Sequence, residues 1–155
     1  RVYWRLLTTH KIDSMGQAVE IANWYSNRWI IEQIFRLMKK KGLCIEDSQI
    51  EKPESLNKLL VLSFAAAIRV MALVEAREGT VKTSAKAMFN NQEIAVLRLL
   101  CKKFEGNTIK QKNPHAKLTL GWASWIIARL GGWNGYASES PPGPITMFRG
   151  LERFE

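Results

Sequence analysis

Four residues of this 155-residue chain, Tyr25, Arg28, Glu32 and Lys39, are spaced so that a helix brings them onto one face. On a helix turning roughly 100° per residue, offsets of three, seven and fourteen place all four side chains within an arc of about 60°. The surrounding segment is therefore expected to be helical and to carry a lone carboxylate among cations. Such a stripe is a poor shield for a core but is well suited to holding a metal-bound phosphate. Arg36, four residues after Glu32, extends the same face. The plainer reading is an ordinary run of intrahelical ion pairs, Arg28 with Glu32 and Glu32 with Arg36, and spacing alone favours it.

The rest of the chain also reads as mainly helical. Asp13 or Ser14 can cap a helix over residues 15–41, which Gly42 ends after the cations Lys39, Lys40 and Lys41. Trp24, Ile31, Ile34, Phe35 and Met38 form an apolar stripe beside the charged one, so one side of this helix is expected to pack on a core. Pro53 and Ser55 open a second long helix over 53–78, with Leu56, Leu59, Leu60, Ser63, Ala66, Ala67, Val70 and Val74 at helical spacing. Two further helices are expected over 91–104 and 118–130, the latter stopped by Gly131 and Gly132, and a last one over 145–154 follows a proline-rich connector. Ahead of all of these, residues 2–8 are rich in Val, Tyr, Trp and Leu and read as a single strand. The chain opens at Arg1 with no initiator methionine, inside that strand-like run, so it reads as part of a longer protein.

Composition narrows the function classes. Lysine and arginine number 23 against 14 acidic residues, a formal charge of +9 that attracts polyanions such as DNA, RNA or a phosphate-rich surface. Cys44 and Cys101 stand far apart with no C-x-x-C pairing, which argues against a disulfide framework or zinc site and for a reducing cytoplasm. His10 and His115 are isolated and read as surface residues, so neither a histidine metal site nor a Ser-His-Asp hydrolase has its parts gathered. The longest apolar stretch, 59–68, falls short of the ~20 residues that span a bilayer, and no membrane role is expected. The polar loop 105–117 bears Lys110, Lys112 and Lys117 and reads either as a solvated loop or as a DNA contact.

The Y-x2-R-x3-E-x6-K spacing resembles the YREK signature of the cut-and-paste transposases of bacterial insertion sequences. Residues 3–9 (YWRLLTT) resemble the last core strand of that family, and Trp29-Ile30-Ile31-Glu32 resembles its W-x-I-E core. Residues 123–132 (ASWIIARLGG) and 142–151 (PGPITMFRGL) look like its C-terminal helices. The resemblance implies that residues 1–50 are the C-terminal end of an RNase H-like catalytic core, with one terminal strand and the glutamate-bearing helix, and that 51–155 form a helical C-terminal domain. It implies that Glu32 is the third carboxylate of an Asp-Asp-Glu triad and a ligand of Mg²⁺ or Mn²⁺. Two aspartates should precede it; Asp13 and Asp47, the only ones here, stand at loop positions, so the chain is expected to be inactive alone. With the resemblance, Tyr25, Arg28, Arg36 and Lys39 become phosphate contacts to transposon-end DNA. Trp4 and Trp29 lie beside the proposed site, each readable as a stacking platform for an unpaired base or as a core residue; the core reading is preferred for Trp29 and Trp4 stands even. A homodimer in the synaptic assembly is implied as well. The alternative is a non-catalytic DNA-binding or dimerising regulator of transposition.

Overall fold

The computed structural model describes every residue except Arg1, Val2, Trp4, Lys40, Lys41, Val81 and Ala137. Six helices make up the described fold: α1 Met15–Ser26, α2 Arg28–Lys39, α3 Pro53–Ala76, α4 Asn91–Phe104, α5 Leu120–Leu130 and α6 Pro144–Phe154. Their starts are set by local chemistry. Ser14 Oγ accepts from the Gln17 backbone N–H at 3.3 Å while Gln17 Oε1 accepts from the Ser14 N–H at 3.1 Å. Asn90 and Glu93 make the same reciprocal arrangement at α4, and proline opens both α3 and α6.

The core centres on α5, whose residues from Leu120 to Ala128 are all buried. A helix apolar around its whole circumference must be enclosed by neighbours, and α3, α4 and α6 enclose this one. Its closest approach is to α6. A Cβ at Gly150 would collide with the Ile127 carbonyl, and one at Gly131 with the Thr146 carbonyl. The buried hydroxyl of Ser124 on α5 donates to the Leu73 carbonyl at 2.7 Å, which offsets the cost of its desolvation. The C-terminal half of α3 supplies Ala67, Val70, Leu73, Val74 and Ala76 to the same core.

Three expectations are corrected here. The helix expected over 15–41 is two helices. Ser26 Oγ donates to the Asn23 carbonyl at 2.7 Å, and the Ile30 N–H bonds Asn27 O at 3.0 Å, a three-residue closure in place of a helical one. The strand over 2–8 is not formed among the described residues: Tyr3 and residues 5–8 are exposed and unpaired, because a lone strand has no neighbouring ladder to bond. Val2 and Trp4 of that run lie outside the described residues. The apolar face of α2 is also rotated from the expected stripe. Leu37 and Met38 are buried and Ile30 and Ile34 half-buried against α3 and the core, whereas Trp24, Ile31 and Phe35 are about half exposed, at 52%, 55% and 51%.

Two further differences concern single elements. α3 is 24 residues long with a window of mean hydropathy 2.1, enough by length and composition to cross a membrane, and longer than the stretch read from sequence. Its C-terminal half is packed into the core, while Leu56, Leu60, Val61 and Leu62 in the N-terminal half are exposed. His115, expected at the surface, is half-buried with its ring against Gly79 and Gly121, where any Cβ would press on it.

Candidate nucleic-acid interface

The charged stripe survives the division of its helix, with one displacement. Arg28, Glu32, Arg36 and Lys39 all lie on α2, and Tyr25 lies on the last turn of α1. Asn27 keeps right-handed helical dihedrals (φ −67°, ψ −13°), so Tyr25 remains adjacent. The Arg28 guanidinium sits 5.6 Å from the Tyr25 ring centroid, a cation–π contact that fixes one end of the line.

The Arg28 guanidinium also meets Glu32 Oε1 at 3.0 Å, with the two side chains 60% and 51% exposed. The ion pair of the plainer reading is therefore formed. Its energy decides what it means: an exposed i,i+4 pair contributes only about 0.3–0.5 kcal/mol. A carboxylate held so weakly can exchange its arginine for another partner at small cost. Arg36 is exposed and enters no ion pair among the described residues.

Lys39 is engaged by Glu46, at 3.2 Å from Nζ to Oε1. Sequence reasoning missed Glu46. The signal available was the acidic pair Glu46-Asp47 placed just beyond a lysine-rich helix end, in the short turn Ile45–Asp47 that folds back on α2. Of the two aspartates, Asp13 pairs with Lys11 at 3.3 Å ahead of α1, and Asp47 lies in that turn. Among the described residues no three His, Cys, Asp or Glu side chains gather as a metal-binding group. A divalent ion that takes six oxygens, with carboxylates among them, finds one such group on the stripe, so the described residues do not by themselves fit a metal pair.

The two tryptophans divide. Trp29 lines a groove of about 420 Å³ between α2 and α3, shared with Ile30, Ile34, Ile68 and Met71, but is 47% exposed, so the core placement preferred from sequence is corrected. Trp4 lies outside the described residues.

Residues 3–69 match a family model described as transposase DDE domain. The matched stretch holds Tyr25, Arg28, Glu32, Arg36 and Lys39, runs through α1 and α2 into α3, and ends before α4, α5 and α6. The similarity covers less than half of the chain.

Proposed function

We propose that this chain is the C-terminal portion of an insertion-sequence transposase of the YREK type, with residues 1–50 ending an RNase H-like catalytic core and residues 51–155 forming a helical domain. The observation that carries the reading is the exposed line Arg28, Glu32, Arg36 and Lys39 on α2, inside the stretch similar to the transposase DDE domain. In this reading Arg28, Arg36 and Lys39 hold phosphates of transposon-end DNA and Tyr25 braces Arg28. A phosphate arriving at Arg28 competes for the guanidinium, which releases Glu32 from a pair of small energy.

Glu32 would then be one of the carboxylates that hold Mg²⁺ or Mn²⁺, the other acidic ligands being neither Asp13 nor Asp47. A bound divalent ion would polarise the scissile phosphate. The chain alone neither nicks nor joins DNA in this account. Two copies hold two transposon ends, and a reducing cytoplasm suits a chain whose two cysteines are not joined in a disulfide.

The test is duplex binding as a function of salt. Each phosphate contact contributes a slope of about −0.9 in log K against log salt, so Arg28→Ala with Lys39→Ala should shallow the slope by about 2. A slope unchanged by the double substitution would remove the stripe from the interface.

A further inference from the structure

Away from the α2 stripe, two adjoining cavities of about 480 and 340 Å³ open between the 105–117 loop and the segment that follows α5. Lys110, Trp125, Gly135 and Tyr136 line both, so they form one divided cleft. Its size lies in the range of small-molecule sites. Three kinds of group meet there.

The first is aromatic surface. Tyr136 is 51% exposed, Trp133 is half-buried, and Trp125 forms the floor. The second is positive charge: the walls carry five cations against three carboxylates. The carboxylates are already engaged, Glu78 by Arg77 at 3.0 Å, Glu105 by Lys112 at 4.0 Å and by the Asn113 N–H at 3.1 Å, and Glu139 by Asn134 Nδ2 at 2.6 Å. Lys103 and Lys110 enter no ion pair among the described residues. The third is a pair of orphaned donors. Trp133 Nε1 and Arg129 Nε are buried with no hydrogen-bond partner among the described residues. Buried donors of this kind are costly to leave unmade, and only acceptors can satisfy them.

Arg129 is held rigidly at the centre. Its guanidinium lies 5.6 Å from the Phe104 ring and 5.7 Å from the Trp125 ring, and its Nη1 donates to the carbonyls of Trp133 and Asn134. Gly135, at φ +80°, lets the chain fold over Arg129, where a Cβ would lie 3.2 Å from its Cδ.

Flat aromatic faces beside free lysines and unmet donors suit a ligand with a π-face, an anionic group and several acceptors. We propose that this cleft takes one unpaired nucleotide of a single-stranded DNA segment, its base against Tyr136 and Trp133 and its phosphate on Lys103 and Lys110. The choice of DNA over a free nucleotide rests on the reading given under Proposed function; the cleft itself shares no residue with the α2 stripe.

The experiment is fluorescence anisotropy of the whole chain with a labelled oligothymidylate of about a dozen nucleotides, with a blunt duplex and with free thymidine monophosphate as competitors. Base stacking is sequence-tolerant and strong enough that Tyr136→Ala should weaken single-strand binding about tenfold, and Lys110→Ala by a comparable factor. Both side chains are exposed, so folding is unaffected, and a melting curve verifies it. Trp133→Phe keeps a six-membered aromatic face but removes Nε1 together with the rest of the five-membered ring, and should weaken binding about threefold. Duplex affinity should stay within about twofold in all three variants, because phosphate contacts on the α2 stripe are untouched. Single-strand affinity unchanged in Tyr136→Ala and Lys110→Ala, or an equal loss for duplex, overturns the proposal. Competition by the monophosphate as effective per nucleotide as the oligomer overturns the assignment to DNA. If the salt slope fails to respond to Arg28→Ala with Lys39→Ala while Tyr136→Ala still weakens single-strand binding, the transposase reading fails and the cleft stands; the reverse pattern overturns the cleft alone.

Discussion

α1 and α5 are nearly the same length, and they are built in opposite ways. α1 has no buried residue, and Met15, Val19 and Trp24 are 80%, 52% and 52% exposed. α5 is buried from Leu120 to Ala128. α1 is held by its cap and by the adjoining α2, whereas α5 is enclosed by α3, α4, α6 and the short turn Ala85–Ala87. The difference extends along the chain: the stretch similar to the transposase DDE domain carries the exposed α1 and the charged stripe, and most of the core lies beyond it. The exposed stripe and most of the buried core therefore lie in different parts of the chain, and substitutions in each should affect folding to different degrees.

The largest stability effect should come from the core. Ile127 is fully buried on α5 and packs against Gly150 of α6, so Ile127→Ala should destabilise the fold by about 2–5 kcal/mol in denaturant unfolding. A smaller loss would mean that α5 is less central than its burial indicates.

A medium effect should follow pH through His115. Burial holds its pKa below the ordinary 6.5, against the opposing pull of a hydrogen bond to the Arg77 backbone and the charge of Glu78. The unfolded chain thus takes up a proton near pH 6.5 that the folded chain resists, and the unfolded state binds more protons in that window. Stability rises with pH there, so it is lost as pH falls from 6.5 through the lower folded value and is intact above 6.5. Melting temperatures at pH 7.5 and 5.5 should differ more in the wild type than in His115→Asn; equal differences would show that the packed ring costs nothing to charge.

The smallest effect belongs to α1. Trp24 makes an edge contact with His10 at 5.4 Å and is otherwise half exposed, so Trp24→Ala should shift stability by no more than about 0.5 kcal/mol. A loss comparable to Ile127→Ala would erase the contrast between the two regions.

Local chemistry was the legible part of this chain. Ser14, Pro53 and Gly131 announce their helix ends through side-chain caps, a fixed φ and a missing Cβ, and the helices over 91–104, 118–130 and 145–154 stand within a few residues of their expected bounds. The break at Asn27 was harder, since it depends on Ser26 taking the Asn23 carbonyl, a competition that periodicity does not register. The rotated face of α2 was illegible for another reason. Ile31 and Phe35 are as apolar as Ile34 and Met38, and only the position of α3 decides which pair is covered. On the stripe, the spacing did bring Arg28, Glu32, Arg36 and Lys39 together, while the Glu46 partner of Lys39 arrives from a separate turn. The cleft over Arg129 lies furthest from sequence reach, because Lys110, Trp125 and Tyr136 converge from three segments.

The most direct measurement of the central claim is strand cleavage by the full-length enzyme of the proposed reading, with Glu32→Gln as the variant. The Arg28–Glu32 pair contributes only about 0.3–0.5 kcal/mol, so the substitution should leave folding nearly intact whichever role Glu32 has. Cleavage of transposon-end DNA in Mg²⁺ should be abolished while end binding persists, because Arg28, Arg36 and Lys39 retain their charge and one negative charge beside the DNA is gone. Cleavage at near wild-type rate would make Glu32 a structural partner of Arg28 and would contradict the account.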